Sequence, residues 1–357
     1  MGSSALPSRR VVATAGLVGL ALWPASRLYR RLARRRTARA AVSRELWHPV
    51  LLVDLSVSNE RWLARGRRAM ALLGRTTARG GPAVPGIEVT DQRLRPEVNA
   101  GPAPRVRVYQ HRDRRRPSGA LLWIHGGGMI MGVPEQDDQW LRTLADELAI
   151  LVVSVDYRLA PEDPYPAGLD DCMAALEWLH ASAGELGVDP ARVAVGGASA
   201  GGGLAAAVAM RARDEGGPPV CFQLLNYPML DDRTVLRADH AGTGAFLWTP
   251  VSNRFAWSAY LGAPPREDDD RVHAAPGRAT DLSGLPAAWI GVGQLDLFHA
   301  EDVDYARRLS DAGVACELVE EPGMYHGADG LVPGAPRMRA YRRSMVDALR
   351  NAFTHTD

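Results

Sequence analysis

The chain has 357 residues, of which 46% are hydrophobic, 23% charged and 6% aromatic. These values are ordinary for a globular protein and exclude a disordered chain, a collagen-like repeat and a polytopic membrane protein. All 42 basic residues are arginines, because the sequence contains no lysine. The chemistry therefore cannot depend on a P-loop lysine, a pyridoxal Schiff base, a kinase ATP-anchoring lysine or a Ser–Lys dyad.

Charge is distributed unevenly along the chain, although the net charge is only +1. Residues 1–80 contain sixteen arginines and three acidic residues, which gives +13, so the remaining residues carry −12. A basic front raises contact with a membrane or a nucleic acid as alternatives to a solvated arm. The three widely spaced cysteines, Cys172, Cys221 and Cys316, favour buried thiols in a reducing compartment over a disulfide or zinc framework.

Residues 1–40 form a basic and apolar N-terminal arm. Its uncharged run of thirteen residues, Val11 to Trp23, suits the core of a signal peptide and is shorter than the roughly 20 residues that span a bilayer. Arginines follow at once and no Ala-x-Ala cleavage site closes the run, so we expect a cytoplasmic body. Peripheral membrane contact through residues 9–36 and a loosely ordered extension remain alternatives. Nucleic-acid binding is not expected, because few aromatic residues are interleaved with the arginines.

Beyond the arm, the sequence predicts a helical region and then an α/β domain. Residues 41–79 have apolar residues at helical spacing, and residues 80–86 form a glycine- and proline-rich linker. Alternating segments at Ile87–Arg93 and Arg105–Gln110 predict antiparallel strands. Continuous apolar runs then predict buried strands at Leu121–Ile124, Ile150–Val155, Val193–Val195, Val220–Leu225 and Ala287–Val292. Helical stretches alternate with them, which predicts a mostly parallel sheet covered on both faces.

The pentapeptide Gly197-Ala198-Ser199-Ala200-Gly201 lies between a predicted strand and a predicted helix. A serine on such a sharp turn has a strained backbone, and a bulky neighbour would clash there. The turn exposes the Ser199 hydroxyl, and the N–H of Ala200 lies at a helix start, where it can stabilise a negative oxygen. Taken alone the motif is weak, because a tight glycine-rich helix entry has the same sequence.

A second glycine-rich motif, His125-Gly126-Gly127-Gly128, follows the predicted strand Leu121–Ile124. Its three glycines leave backbone N–H groups unshielded, which suits a preorganised oxyanion hole. We expect His125 to orient this loop through hydrogen bonds rather than to act as a base. The spacing required for a dinucleotide or P-loop phosphate site is absent from the motif.

The serine needs a base and an orienting acid downstream. Asp296 lies just past the predicted strand Ala287–Val292, and the carboxyl ends of such strands are where open α/β sheets form their sites. His326 follows a short predicted strand at Glu317–Val319, so the chain order is Ser, Asp, His, as in α/β-hydrolases. The rival bases are His273, His299 and His355, and the rival acids are Asp302 and Asp304.

In order and spacing, these motifs resemble the hormone-sensitive-lipase-like esterases, the alpha/beta hydrolase fold-3 family, over roughly residues 80–350. The segments that carry the resemblance are Trp123–Gly128, Asp156–Glu162, Pro164–Ala167 with Asp171, Asp189–Arg192 and Gly197–Gly202. It implies an alpha/beta-hydrolase fold with a helical cap, and no metal or organic cofactor. The site residues that it implies are Ser199 as nucleophile, Asp296 and His326 as its partners, and backbone donors at Gly126, Gly127 and Ala200.

The resemblance also predicts how the chain is organised. It separates the arm (1–40) from N-terminal cap helices (41–80) and a catalytic domain (81–357), with a cap contribution from about 229–261. Three departures from the family pattern affect the expected substrate: Ala198 before the nucleophile, residues 297–301 after the triad acid, and Ala328 after the His-Gly pair.

The activity implied by the resemblance is hydrolysis of carboxylic esters with short to medium acyl chains, through an acyl-enzyme. Amide or carbamate hydrolysis and acyl transfer on the same serine remain alternatives. A receptor of the same fold would bind a small ligand without catalysis, but such receptors typically lack the triad histidine, which is retained here as His326. The sequence makes no prediction about the oligomeric state.

Overall fold

The computed structural model of the protein describes residues 37–80, 84–94 and 103–354. Eight strands form one sheet in the order β1-β2-β4-β3-β5-β6-β7-β8. The pairs β1–β2 and β2–β4 are antiparallel, and the five pairs among β3 to β8 are parallel. The strands are β1 Ile87–Arg93, β2 Arg105–His111, β3 Ser118–Ile124, β4 Leu151–Asp156, β5 Val188–Ala198, β6 Phe222–Asn226, β7 Ala288–Gly293 and β8 Cys316–Glu321. The predicted mostly parallel sheet is confirmed.

Helices cover both faces of this sheet. They are α1 Glu60–Gly80, α2 Asp138–Glu147, α3 Ala167–Ala181, α4 Ala183–Leu186, α5 Ala200–Asp214, α6 Pro250–Leu261, α7 His299–Asp311, α8 Ala328–Leu331 and α9 Pro336–Thr354. Short 3₁₀ turns occur at Arg44–Leu46, Pro49–Leu52, Pro134–Asp137, Asp232–Leu236 and Pro276–Arg278. The helical stretches that the sequence predicts between the apolar runs correspond to α2, α3, α5 and α7; their predicted ranges are Leu141–Ala149, Leu169–His180, Ala200–Arg213 and Val303–Ala312.

The core explains why the central strands are continuously apolar. Every residue of β3, β6 and β7 is buried, because successive side chains point to opposite faces and helices cover both. Leu122 of β3 joins the apolar cluster on one face with Leu204 of α5. Its neighbour Leu121 joins the cluster on the other face with Leu349 of α9. The sheet is therefore the middle layer of three.

The region before the sheet is less helical than predicted for residues 41–79. A helical segment ends at residue 41, two 3₁₀ turns follow, and α1 begins only at Glu60. Asn59 explains this start, because its side-chain oxygen accepts from the backbone N–H of Arg61 (3.1 Å) and Trp62 (3.2 Å), as an N-cap residue does. Pro49 opens the second 3₁₀ turn, and proline cannot continue a helix through its interior.

The two segments predicted to form a cap contact each other and the α/β domain. The backbone N–H of Val57 donates to Ser252 Oγ at 2.9 Å, at the start of α6. From α1, Arg67 donates to the carbonyls of Ile130 and Ala160, both at 2.8 Å, and forms a salt bridge of 2.7 Å with Glu162. Helix α1 therefore lies across the chain that follows the glycine-rich motif at residues 125–128.

Two expectations concern residues outside the described ranges. The predicted membrane-contacting segment, residues 9–36, lies there, and so does the rival base His355. No helix in the described ranges has both the length and the apolarity to cross a membrane.

A buried ion pair fixes helix α2 to the sheet. Arg107 of β2 donates to both carboxylate oxygens of Asp138 at 2.9 and 3.0 Å, and the Tyr109 hydroxyl donates to the same carboxylate at 2.7 Å. Asp138 is fully buried and Arg107 nearly so. The turn that precedes α2 follows the glycine-rich motif along the chain, so this pair anchors the far end of that loop.

Replacing Asp138 should destabilise the fold strongly. The substitution Asp138→Ala leaves the buried guanidinium of Arg107 without its main partner, so we expect a loss of about 3–5 kcal/mol in the free energy of unfolding. Urea denaturation monitored by circular dichroism measures this loss. As a control, Asp304→Ala removes a half-exposed carboxylate paired with Arg307 and Arg308 and should cost under about 1 kcal/mol. Equal losses in the two variants would contradict the assignment.

Candidate active site

Ser199 lies at the junction of strand β5 and helix α5. Its φ of 59° and ψ of −122° belong to a strained turn. Tight backbone packing surrounds it: a Cβ on Gly197 would lie 2.3 Å from the Gly201 carbonyl oxygen, and one on Gly201 would lie 2.0 Å from that of Ile124. Only glycine fits at these two positions, which explains the pattern of small residues around the serine.

Three predicted residues meet at the carboxyl edge of the sheet. His326 Nε2 lies 2.9 Å from Ser199 Oγ, and His326 Nδ1 lies 2.7 Å from Asp296 Oδ2. Asp296 Oδ1 also accepts from the backbone N–H of Phe298 at 3.0 Å. If Nδ1 carries the proton and donates to Asp296, Nε2 is free to accept the Ser199 hydroxyl proton. This geometry suits activation of a serine hydroxyl.

Three of the four rival residues within the described chain have other partners, and the fourth, Asp302, has none. His299 pairs with Glu320 at 2.6 Å, and His273 pairs with Asp214 at 2.8 Å. Asp304 forms salt bridges with arginines on its own helix. Asp302 is buried, neither of its carboxylate oxygens has a hydrogen-bond partner within the described chain, and burial raises its pKa well above the usual value. None of the four contacts Ser199 or His326 among the described hydrogen bonds.

The glycine-rich loop passes directly beside the serine. A Cβ on Gly126 would lie 3.4 Å from Ser199 Cβ and 2.8 Å from the Ala198 carbonyl oxygen. Gly127 has a φ of +131°, and a Cβ there would lie 1.9 Å from the Met131 carbonyl oxygen. The carbonyl of Gly127 accepts from the N–H groups of Ile130 and Met131. The loop is thus a tight turn whose backbone lies beside Ser199.

His125 occupies a buried position behind this loop. Its Nδ1 lies 2.9 Å from the Gly126 carbonyl oxygen, and its ring stacks on Tyr157 with centroids 4.4 Å apart. The Tyr157 hydroxyl donates to the His125 carbonyl at 3.0 Å. Burial lowers the pKa of His125, which favours a neutral imidazole. These contacts support a role in positioning the loop, as expected from the sequence.

Three aromatic side chains that the sequence analysis did not single out surround His326. The ring centroids of Tyr227, Phe298 and Trp248 lie 4.7, 5.3 and 6.4 Å from that of His326. The Tyr227 hydroxyl donates to Asp329 at 2.7 Å. Tyr227 directly follows β6 and Phe298 lies two residues after Asp296, so their places at strand ends were a usable signal. Trp248 lies in an irregular segment, and no local pattern indicates its position.

A buried carboxyl ties the segment after β6 to helix α7. Glu301 accepts from the backbone N–H of Leu230 at 2.8 Å and of Asp231 at 3.2 Å, and contacts the Thr234 hydroxyl. Burial, reinforced by the nearby Asp231, raises the pKa of Glu301 to about 8. Glu301 thereby connects the start of the second predicted cap segment to the helix that follows Asp296.

In the described chain, no group of three or more His, Cys, Asp or Glu side chains is arranged to hold a metal ion.

A serine, a histidine and an aspartate at one edge of a mostly parallel sheet are typical of α/β serine hydrolases. Comparison with known proteins agrees. The profile of a family described as "alpha/beta hydrolase fold" matches residues 121–329. The chain is 43% identical over 228 residues to carboxylesterase NlhH of Mycobacterium tuberculosis, covering 62% of this chain and 70% of that protein.

Two further similarities extend beyond these residues. Esterase LipI of Mycobacterium tuberculosis is 37% identical over 291 residues, covering 74% of this chain and 88% of that protein. The solved structure of a bacterial heroin esterase superposes with a TM-score of 0.81 at 36% identity, covering 88% of this chain and 98% of that one. The protein therefore belongs to the alpha/beta hydrolase fold family, and the resemblance stated from its motifs is confirmed.

The loop geometry makes Gly127 a sensitive position. In Gly127→Ala, the added methyl group meets the Met131 carbonyl, so the turn must open and its N–H groups must move. Loss of one oxyanion donor typically lowers kcat by about 10²–10³-fold, and we expect at least that loss in ester hydrolysis assays. Gly184→Ala is a matched control, because a Cβ there meets nothing within 4 Å. Near-normal activity of Gly127→Ala would contradict the role given to the loop.

Proposed function

We propose that the protein hydrolyses carboxylic esters with Ser199 as nucleophile, His326 as base and Asp296 as the orienting acid. The observation that carries this proposal is the continuous chain of contacts from Ser199 Oγ through His326 to Asp296. Two relatives described above are named as a carboxylesterase and an esterase, which supports the reaction class. Small-molecule esters are the expected substrates.

The reaction proceeds in two halves. Ser199 Oγ attacks the ester carbonyl carbon while its proton passes to His326 Nε2, and Asp296 stabilises the imidazolium that forms. The tetrahedral intermediate then breaks its bond to the alcohol oxygen, which takes the proton from His326 and leaves acyl-Ser199. In the second half, water gives a proton to His326 Nε2 and attacks the acyl carbon. The second tetrahedral intermediate then breaks its bond to Ser199 Oγ, which takes the proton back from His326 as the acid is released.

The negative oxygen of each intermediate is held by backbone N–H groups of Gly126, Gly127 and Ala200 in this proposal. Two features support it: the Gly126 backbone is adjacent to Ser199, and Ala200 is the first residue of α5, where N–H groups have no partner within the helix. Each donor contributes about 3–4 kcal/mol in enzymes where one was removed.

The acyl side of the site is bounded by Trp248 in this proposal. A Cβ on Gly128 would lie 2.2 Å from the Trp248 ring, so the indole packs directly on the oxyanion loop as well as against His326. Its Nε1 donates to the buried Asn253 at 3.1 Å, which fixes the indole to α6. A fixed, bulky ring so close to the ester carbonyl carbon leaves little room for a long acyl chain. It therefore favours the short to medium acyl chains expected from the family resemblance.

The division of the chain and its location are proposals as well. Residues 41–80 and about 229–261 form the cap over the catalytic domain at 81–357, and the contact of Val57 with Ser252 supports this assignment.

The body is cytoplasmic, with peripheral membrane contact through residues 9–36, and the arginines that follow the apolar run of the arm support this assignment.

Removal of the nucleophile tests the reaction. Ser199→Ala should lower kcat for p-nitrophenyl acetate by about 10⁴-fold or more, because the acyl-enzyme cannot form. The wild-type protein, but not the variant, should be labelled by a fluorophosphonate probe. Ser310→Ala, which removes a hydroxyl bonded only within α7, is the matched control. Full activity of Ser199→Ala would disprove the mechanism, and an unlabelled wild type would favour a non-catalytic receptor.

Shortening Trp248 tests the acyl boundary. In Trp248→Ala, the ratio of kcat/KM for decanoyl over butanoyl esters should rise about 10-fold or more, since one or two methylene groups in an apolar pocket change kcat/KM by that order. Trp140→Ala replaces an indole that stacks on Arg342 and has no ring contact with His326 among the described residues, and should leave the ratio unchanged. A series of alcohol groups on one acyl chain serves as the second measurement. A change confined to the alcohol series would place Trp248 on the other side of the site.

A further inference from the structure

The exposed apolar side chains of the protein are concentrated in one region. Among the described residues, seven large apolar side chains are between 43% and 63% exposed. We call them the cap face: Trp47, Leu52, Val53, Leu55, Trp62, Leu72 and Val251. Six lie between residues 47 and 72, and Val251 is next to Ser252, which bonds Val57 of the same segment. Single exposed apolar residues are ordinary, but so many of them along one segment are typical of an interaction surface.

The segment that carries the cap face runs past the active site. At one end, the Ser43 N–H donates to the Gly323 carbonyl at 3.2 Å, and the Tyr325 hydroxyl donates to the Leu46 carbonyl at 2.9 Å, next to His326. Farther along, Val57 bonds the start of α6. Helix α1 then crosses the chain that follows the glycine-rich loop at residues 125–128. The cap face therefore lies on the side of the molecule where the catalytic residues are covered.

Helix α1 gives the cap face a positive charge. Its outward side carries Arg61, Arg65, Arg68 and Leu72, at the i, i+4, i+7 and i+11 spacing of one helix face, and all four are exposed. The Arg65 guanidinium lies 4.7 Å from the centre of the Trp62 ring. Glu60 is the only acidic residue in the sequence of this helix. Arginine and tryptophan are the residues that suit a helix lying in a membrane interface.

We propose that the cap face docks on the surface of an anionic lipid bilayer. The positive charge of the cap face favours a bilayer over two other occupants, residues 1–36 of the same chain and a second copy of the chain. Residues 1–36 contain eight arginines and no acidic residue, so folding them back would bring a charge of +8 onto an already basic surface. A second copy of the chain in a symmetric dimer would set the same arginines against each other. An anionic bilayer satisfies the arginines with phosphates and accepts the apolar side chains.

Vesicle binding by the full chain tests this proposal. We expect cosedimentation with vesicles of phosphatidylcholine containing 30% phosphatidylglycerol, and much weaker binding to phosphatidylcholine alone. The triple variant Arg61→Gln, Arg65→Gln, Arg68→Gln should bind about 100-fold more weakly, from about fivefold per arginine. Trp62→Ser with Leu72→Ser should weaken binding at unchanged charge by about 10-fold or more.

Two controls separate surface effects from unfolding. Arg343→Gln with Arg350→Gln removes exposed arginines from α9 and should bind vesicles like the wild type. Every variant should keep wild-type kcat/KM on a water-soluble short-chain ester, which establishes an intact fold. Loss of that activity in one cap-face variant would leave the other variant and the exchange measurement below to decide the proposal.

Hydrogen exchange distinguishes the cap face from the arm. Backbone amides in residues 44–76 should gain protection when anionic vesicles are added, whereas those of α9 should not. Cosedimentation without new protection in residues 44–76 would mean that residues 1–36 alone bind, and would overturn the proposal. So would the absence of binding, unchanged binding in both cap-face variants, or equal binding to neutral and anionic vesicles. The same amide protection in residues 44–76 with and without vesicles would overturn it as well.

Discussion

The close packing of backbone on backbone around Ser199 is the constraint on which the site depends. Strand β3 ends at Ile124, and its carbonyl oxygen occupies the space that a Gly201 side chain would need. The glycine-rich loop begins at the next residue, so the nucleophile turn and the loop cannot move independently. Because β3 and β5 are parallel neighbours, both features emerge at the same edge of the sheet. The strained backbone at Ser199 is held by this packing and by hydrogen bonds from its N–H to the Asn226 carbonyl and from the Met229 N–H to its own carbonyl, both at 2.9 Å.

The same edge receives the rest of the triad. Asp296 follows β7 and His326 follows β8, and both strands are parallel to β5. Around His326, Tyr227 and Phe298 supply aromatic edges, while the Tyr227 hydroxyl is directed away to Asp329. The imidazole is thus surrounded by aromatic rings and has a polar partner at each nitrogen. That arrangement restricts its orientation.

The sequence was most informative where structure is set locally or by burial on both faces. Strand β3 and the turn at Ser199 could be predicted, because uninterrupted apolar residues and obligatory glycines leave few alternatives. The chain before α1 could not: its apolar residues at helical spacing match a helix, but Pro49 and the Asn59 cap divide it. Trp248 also escaped prediction, because its position depends on contacts with Gly128 and Asn253 rather than on its neighbours in sequence.

Because the chain has no lysine, its ion pairs with Asp and Glu use guanidinium groups or histidine. Two arginines, Arg107 on the buried Asp138 and Arg67 on the exposed Glu162, use the planar guanidinium to form paired hydrogen bonds to one carboxylate. Arg67 belongs to the basic front of the chain, yet it faces inward and fixes α1 over the α/β domain. The arginines that remain on the outward side of α1 therefore belong to a helix whose orientation is already set. A basic surface held in a fixed orientation beside the active site can direct that site toward what it binds.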